Sequence, residues 1–324
     1  MTSFRRLALL FTFVPASVPA AAAPLPKGTV EMILRLDRRE YVRHEPVWFT
    51  LEYVNRTAGE IGVPQGFSID NKLSFELVPA KGEKRRGSYT IHPARLDKLP
   101  FTRLGAGRSV FTGSHLHQII ERGPLEPGEY TLHAFNEVGV TRTRHSSDAV
   151  EVPVESRAVK FTVRAPTAEE EETVAYLDRL YGDRPRWGSW IDGYDHLAKV
   201  ALNTRSSRFR AAARLAQGER CRNPRLLPAE DDYDTSPAEA MRPLRIVLAC
   251  EGASGMQKEY AALCLACCHH RSKQRGSATR TVHALRKVAA DHPGTHAAYL
   301  AEGAIKRMRP LADKERARMR AKRP

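Results

Sequence analysis

The chain has 324 residues, 42% of them apolar, enough to bury a sizeable core and to build two ordinary domains. Lys and Arg number 52 against 37 Asp and Glu, a formal charge of +15, and five cysteines are too few for a disulfide-built scaffold. These figures exclude wholesale disorder and a collagenous, coiled-coil or multi-span membrane protein.

Residues 1–22 read as a secretory signal peptide. Arg5 and Arg6 form a basic start, Leu7 to Val18 a short apolar stretch, and Ala20, Ala21 and Ala22 the small residues that a signal peptidase accepts. Pro15 and Pro19 interrupt the stretch, whereas a membrane span needs about 20 apolar residues. Cleavage after Ala22 keeps Pro24 out of the first mature position. The mature chain is therefore expected in the periplasm or outside the cell, starting at Ala23.

From 28 to 165 the hydrophobic period is two. Val30, Met32, Leu34 and Leu36 alternate with Glu31, Ile33 and Arg35, and Val47, Phe49, Leu51 and Tyr53 with Trp48, Thr50, Glu52 and Val54; Leu73, Phe75 and Leu77 follow. Further strands are predicted near 108–119, at 129–137 and at Val159-x-Phe161-x-Val163. Gly and Pro punctuate the runs, and about seven short strands predict an antiparallel β-sandwich. Tyr41, His44-Glu45-Pro46-Val47 and Leu125-x-Pro127-Gly128-x-Tyr130 resemble immunoglobulin-like domains of secreted bacterial proteins. That resemblance implies a tyrosine-corner hydroxyl bond at Tyr130. Asn55-Arg56-Thr57 matches a glycosylation sequon by pattern alone.

Pro166 ends the alternation. Thr167 caps a predicted helix with Glu169 to Glu172 in its first turn, and residues 164–169 are expected to act as a hinge between separable domains. Helices are predicted over 207–217, 236–250, 256–271, 279–290 and 295–308, with a long loop at 218–237. Trp187, Trp190 and Tyr194 read as a packed hinge or an aromatic ledge. Leu285 and Val288 before Asp291-His292-Pro293-Gly294, with Tyr260, Leu263, Cys264 and Cys267 upstream, resemble a tetratricopeptide repeat. The fold class is thus α+β by segregation: a sandwich over 28–165, a helical repeat-like domain over 167–308, and a basic tail over 309–324.

The densest chemistry is Cys264-Leu265-Ala266-Cys267-Cys268-His269-His270. On a helix Cys264, Cys267 and Cys268 are expected to share a face with Tyr260 and Leu263, as small packed side chains. The alternative is a soft-metal site for zinc or copper on Cys264, Cys267, Cys268 and His269. Cys221 and Cys250 add disulfide options whose connectivity the sequence leaves open. His115, His117 and His133 meet only if their strands form a hairpin in the right register. Ala253-Ser254-Gly255 lacks a nucleophile elbow, and Asp192, Asp195 and His196 fit an ordinary helix start.

Between 305 and 324 lie nine basic and two acidic residues, about half the mature excess charge. Such a segment attracts polyanions, and after export an acidic surface polymer or an anionic membrane is a more fitting partner than nucleic acid. The sequence therefore reads as an exported, non-catalytic binding or scaffold protein of the bacterial envelope, with no cofactor and with protein or acidic-polymer partners. The alternatives are a metal- or redox-linked protein using the cysteine cluster and a hydrolase with a scattered site in the helical half.

Overall fold

The computed structural model describes residues 28–64, 72–89, 101–116, 124–142, 149–181, 194–222, 237–271 and 276–321. The predicted signal peptide, His117, Trp187, Trp190 and Asp192 lie outside them. Strands occupy the first half of the chain and helices the second.

One sheet contains β1 (Val30–Leu36), β3 (Trp48–Asn55) and β8 (Ser109–His115) in the order β1-β3-β8. The second runs β2 (Glu40–Val42), β11 (Val159–Arg164), β9 (Gly128–Val140), β5 (Leu73–Pro79), β6 (Arg85–Tyr89), and β10 (Val150–Glu155) joins the far part of β9. A short ladder pairs β4 (Ile61–Pro64) with β7 (Phe101–Leu104). Among the described strands every ladder is antiparallel except β2 with β11, which is parallel. Strand β10 was not predicted, because Pro153 argues against a strand interior. It pairs with β9 alone, a position that tolerates a residue without an N–H.

The two large sheets face each other across one apolar core. Phe49 and Phe75 meet across it at 4.8 Å, and the Asn136 amide donates to the Tyr53 hydroxyl at 2.9 Å. Strand β1 reaches the second sheet through a bridge between Met32 and Ser156, where Ser156 separates β10 from β11. The Tyr130 hydroxyl donates to the Glu126 carbonyl at 2.7 Å, the bond that the family resemblance implied. Asn55 is fully buried, and its amide donates to Gly59 and Leu104 carbonyls at 2.7 and 2.8 Å, so the sequon asparagine is part of the core.

The helices are α1 (Ala168–Tyr181), α2 (Tyr194–Asn203), α3 (Ser207–Arg222), α4 (Pro237–Ala249), α5 (Gly255–Arg271), α6 (Ser277–Asp291) and α7 (His296–Ala321). From α2 to α3 and from α3 through α7, each packs on the next. Helix α2 begins at the predicted helix start around Asp195 and His196, although its span was not among the predicted ranges; toward its end Val200 and Ala201 are buried and Leu202 is exposed.

Helices α3, α4, α5 and α7 pack against the outer face of the β1-β3-β8 sheet, while α1 and α2 cluster with α3 beside Val42 of β2. Trp48, read on the strand face opposite the core, is buried in the apolar cluster of α3, α4 and α5, with its ring 5.8 Å from Tyr260. Phe111 of β8 meets Tyr299 of α7 at 5.9 Å. At Gly113 of β8 a side chain has no room: a Cβ there would lie 2.8 Å from His296 Nδ1 and 2.9 Å from the Phe49 carbonyl.

Charged groups seal the same junction. Buried Glu45 receives Arg38 at 3.4 Å on one oxygen and Arg208 of α3 at 3.4 Å on the other. Arg38 also donates to the Gly252 carbonyl and, at 3.3 Å, to Gln257. Ser254 and Gln257 cap α5 reciprocally: the Ser254 N–H donates to Gln257 Oε1 at 2.9 Å, and the Gln257 N–H donates to Ser254 Oγ at 3.2 Å. Ser254 is therefore accounted for as a helix cap.

The join at 164–169 is pinned. Arg164 grips Glu170 with two bonds of 2.6 and 2.9 Å, and Glu170 accepts the Thr167 N–H at 2.8 Å. At the join where a hinge was expected, the structure thus shows a capping box beside a packed interface.

Native protein should consequently resist protease at 164–169, and Glu170→Ala should lower stability by about 1–2 kcal/mol, read by urea denaturation. Trp48→Ala should cost more, about 3–5 kcal/mol. Ready cleavage of the wild type at that join would contradict the pinned geometry.

Candidate functional site

Helix α5 is buried on two sides, and this divides the cysteine cluster. Cys264 and Cys268, four residues apart, pack among Ala211, Leu215, Leu244 and Val247. Cys267 instead lies with Leu263 and Ala266 against Leu285 and Ala301. The single shared face expected for the three thiols is thus corrected: successive positions on a helix turn by about 100°, and here each side meets a different neighbour. His269 is half-buried on the way to the helix end, and burial pushes its pKa down. Among the described residues no group of three His, Cys, Asp or Glu side chains is placed to hold a metal ion. The candidate zinc or copper set Cys264, Cys267, Cys268 and His269 is therefore not assembled. Cys250, Cys264, Cys267 and Cys268 are thiols, and Cys250 donates to the Ser207 carbonyl at 3.4 Å.

The strand histidines are separated as well. His115 ends β8 in one sheet and His133 sits in β9 of the other, opposite Glu76, so no hairpin brings them together. Asp195 and His196 fall in the first turn of α2.

His44 is the one described non-glycine residue with positive φ, at 70°. Its buried ring places Nε2 2.6 Å from Asp178 of α1, which also takes Arg43 at 3.0 Å. Burial pushes the His44 pKa down and outweighs the pull of Asp178. Asp178 is itself partly desolvated, but its bonds to His44 and Arg43 hold its carboxyl below the usual range. This contact ties the β2–β3 turn to α1. It was missed because a left-handed turn at a histidine leaves no periodic signal.

Helix α7 carries the largest concentration of exposed charge predicted from the sequence. Its start is capped by Thr295, whose hydroxyl accepts the Ala298 N–H at 3.2 Å. Ala301, Ile305, Met308 and Ala312 then recur at helical spacing and pack toward α5 and α6. The helix does not end at Met308: it runs to Ala321, with Pro310 on its exposed side. Glu315 holds the continuation down by accepting both the N–H and the hydroxyl of Thr279 at 3.0 Å, at the start of α6. Burial raises the Glu315 pKa, but those bonds outweigh it and the net shift is downward.

The opposite side of α7 exposes Lys306, Arg307, Arg309, Lys314, Arg318 and Arg320. The two acids in this half are occupied elsewhere, Asp313 with Arg316 and Glu315 with Thr279. The basic tail of the sequence is thus an ordered cationic comb on a helix. Its spacing was readable, but ending the helix at 308 hid the face.

No protein-family model matches the chain, and no curated protein matches it. Among solved structures, a structural-genomics target named SoR45 aligns at 8% identity over 43% of this chain and 90% of its own, with TM-score 0.25. The sporulation control protein Spo0M of Bacillus subtilis aligns at 14% identity over 47% of this chain and 56% of its own, with TM-score 0.23. The PapD-like domain of human CEP192 aligns at 13% identity over 50% of this chain and 100% of its own, with TM-score 0.21. Scores this low carry no inference about function.

Two outcomes follow from the geometry. A thiol reagent should label Cys250 and Cys267 in native protein well before Cys264 and Cys268, read by mass spectrometry of trapped adducts. Stability should also fall as pH drops below about 6.5, the ordinary histidine value. There the unfolded His44 binds a proton that the folded ring resists, so its contribution is complete above that value and is lost through the folded pKa. His44→Asn, which tolerates positive φ, should flatten the melting-temperature profile between about pH 7 and pH 5 relative to wild type.

Proposed function

We propose that the chain is an exported, non-catalytic binding protein of the bacterial envelope that engages polyanionic surface material through α7. The exposed cationic comb from Lys306 to Arg320 is the observation that carries this reading. Flexible basic tails are common, but a comb on a helix anchored by Ala312 and Glu315 presents its charges in fixed positions. Fixed charge costs less ordering on binding than charge on a loose chain. Export rests on the basic, apolar and small-residue order of positions 5–22.

In this reading the facing sheets form an immunoglobulin-like domain, supported by the Tyr130 hydroxyl bond to Glu126. The helices act as a repeat-like platform, supported by the Asp291–Gly294 join between α6 and α7 and by the sequential packing from α3 to α7. The platform and the sandwich act as one rigid mount for α7.

N-terminal sequencing of the exported form should find Ala23 first, whereas retention of Met1 in that form would remove the export reading. Full mature protein should bind immobilised polyphosphate in a salt-sensitive way. Replacing Lys306, Arg307, Arg309, Lys314, Arg318 and Arg320 with Gln should weaken that binding by about tenfold or more. Equal binding by wild type and variant would end the proposal.

A further inference from the structure

We infer that the outer face of α7 docks on an anionic lipid surface, with Leu311 as its apolar anchor. The inference rests on the polyanion reading above and names the partner. Its starting point is a side chain that a charged comb does not need. Leu311 is 47% exposed, one of three large hydrophobic residues exposed among those described. On the helix its i±3 and i±4 neighbours are Arg307, Met308, Lys314 and Glu315; Met308 and Glu315 turn toward α6, while Arg307, Lys314 and, a further turn on, Arg318 flank the leucine on its outer side. All three cations are exposed. Pro310, Ala317 and Ala321 are exposed alongside them. The stripe therefore alternates apolar contact with cations.

A hydrophilic polymer has no use for the leucine. A bilayer has a use for both parts. Long cationic side chains lie along apolar surface and lift their charges to the phosphate level, while a leucine between them enters the acyl boundary. Arginine adds paired donors suited to phosphate oxygens. The acids of this segment do not oppose the contact: Asp313 pairs with Arg316, and Glu315 faces α6. The principal apolar stripe of α7 is already committed to its neighbours in the fold. The contact is therefore shallow, with charge dominating and Leu311 contributing a small increment. No helix among the described residues is long and apolar enough to cross a membrane, and adsorption of this kind does not require one.

The test uses full mature protein and sedimentation with vesicles of phosphatidylglycerol and phosphatidylcholine, with soluble polyphosphate as a second ligand. Wild type should partition onto phosphatidylglycerol vesicles and not onto pure phosphatidylcholine. Each cation near the surface contributes about fivefold, so the triple change Arg307→Gln, Lys314→Gln and Arg318→Gln should weaken partitioning about a hundredfold. Leu311→Ser should weaken it about fivefold and leave polyphosphate affinity unchanged, and Leu311→Trp should strengthen it. These positions are exposed, so the variants should melt as wild type does. If Leu311→Ser and Leu311→Trp bind vesicles like wild type, or if the protein binds polyphosphate but no vesicle, the lipid inference is overturned and the polyanion reading stands. If wild type binds neither ligand, both are overturned.

Discussion

Strand β3 is buried on both faces, and most of the architecture answers to that constraint. Phe49, Leu51 and Tyr53 point into the space between the sheets, while Trp48 points into the helices. A sheet with only one covered face would leave an indole in water beside Thr50. Covering it requires an apolar helical surface close to the strand backbone, and Gly113 on β8 makes the approach feasible by carrying no side chain. Tyr260 and Tyr299 supply that surface from helices separated in sequence, which fixes α5 and α7 relative to the sheet. Helices α3, α4, α5 and α7 thus form a third layer over this sheet.

Polar groups trapped under that layer then need partners. Burial pushes the carboxyls of Asp37 and Glu45 toward the neutral form, and nearby Arg38 and, at Glu45, Arg208 oppose the push. Buried ion pairs of this kind add little net stability, because desolvation offsets much of the attraction. Removing one partner is a different matter, since it leaves a charge without compensation. The arrangement ties the helical layer to the β2–β3 region at two points, Arg208 of α3 to Glu45 and the Gly252 carbonyl, just before α5, to Arg38. Gly252 is itself held close to α3, where a Cβ would fall 2.3 Å from the Ser207 hydroxyl.

The segregation of strands and helices was legible because periodicity changes from two to 3.6 at Pro166, and this signal needs no tertiary information. The capping boxes at Thr167 and Ser254 were readable too, as Thr-x-x-Glu and Ser-x-x-Gln. What failed were inferences that depend on how many sides of an element are covered. Strand β3 was read as one-faced, and α5 was given one buried face for Cys264, Cys267 and Cys268, although two neighbours divide them. The hinge expected at 164–169 raises a related point: Pro166 marks a change of element, but the contacts around the join come from Arg164, Glu170 and an interface contributed by residues far along the chain.

The same distinction governs α7. Excess charge at the end of the sequence was evident, but charge alone does not say whether it is displayed on a fixed surface or spread along a loose chain. The deciding residues are Ala312, which fits against Ala278 and Val282, and Glu315, which accepts the Thr279 N–H in the first turn of α6. They make the continuation of α7 part of the fold, so its cations keep a fixed order around Leu311. On the docking reading proposed above, a helix that buries one apolar stripe and still exposes a leucine among cations has two surfaces with separate roles. Stability accounts for the first. The second contributes little to it, because a half-exposed leucine in a folded monomer gains only part of the transfer energy of burial. A contact outside the monomer would supply the remainder, and its chemistry must accommodate cations and hydrocarbon within one helical turn.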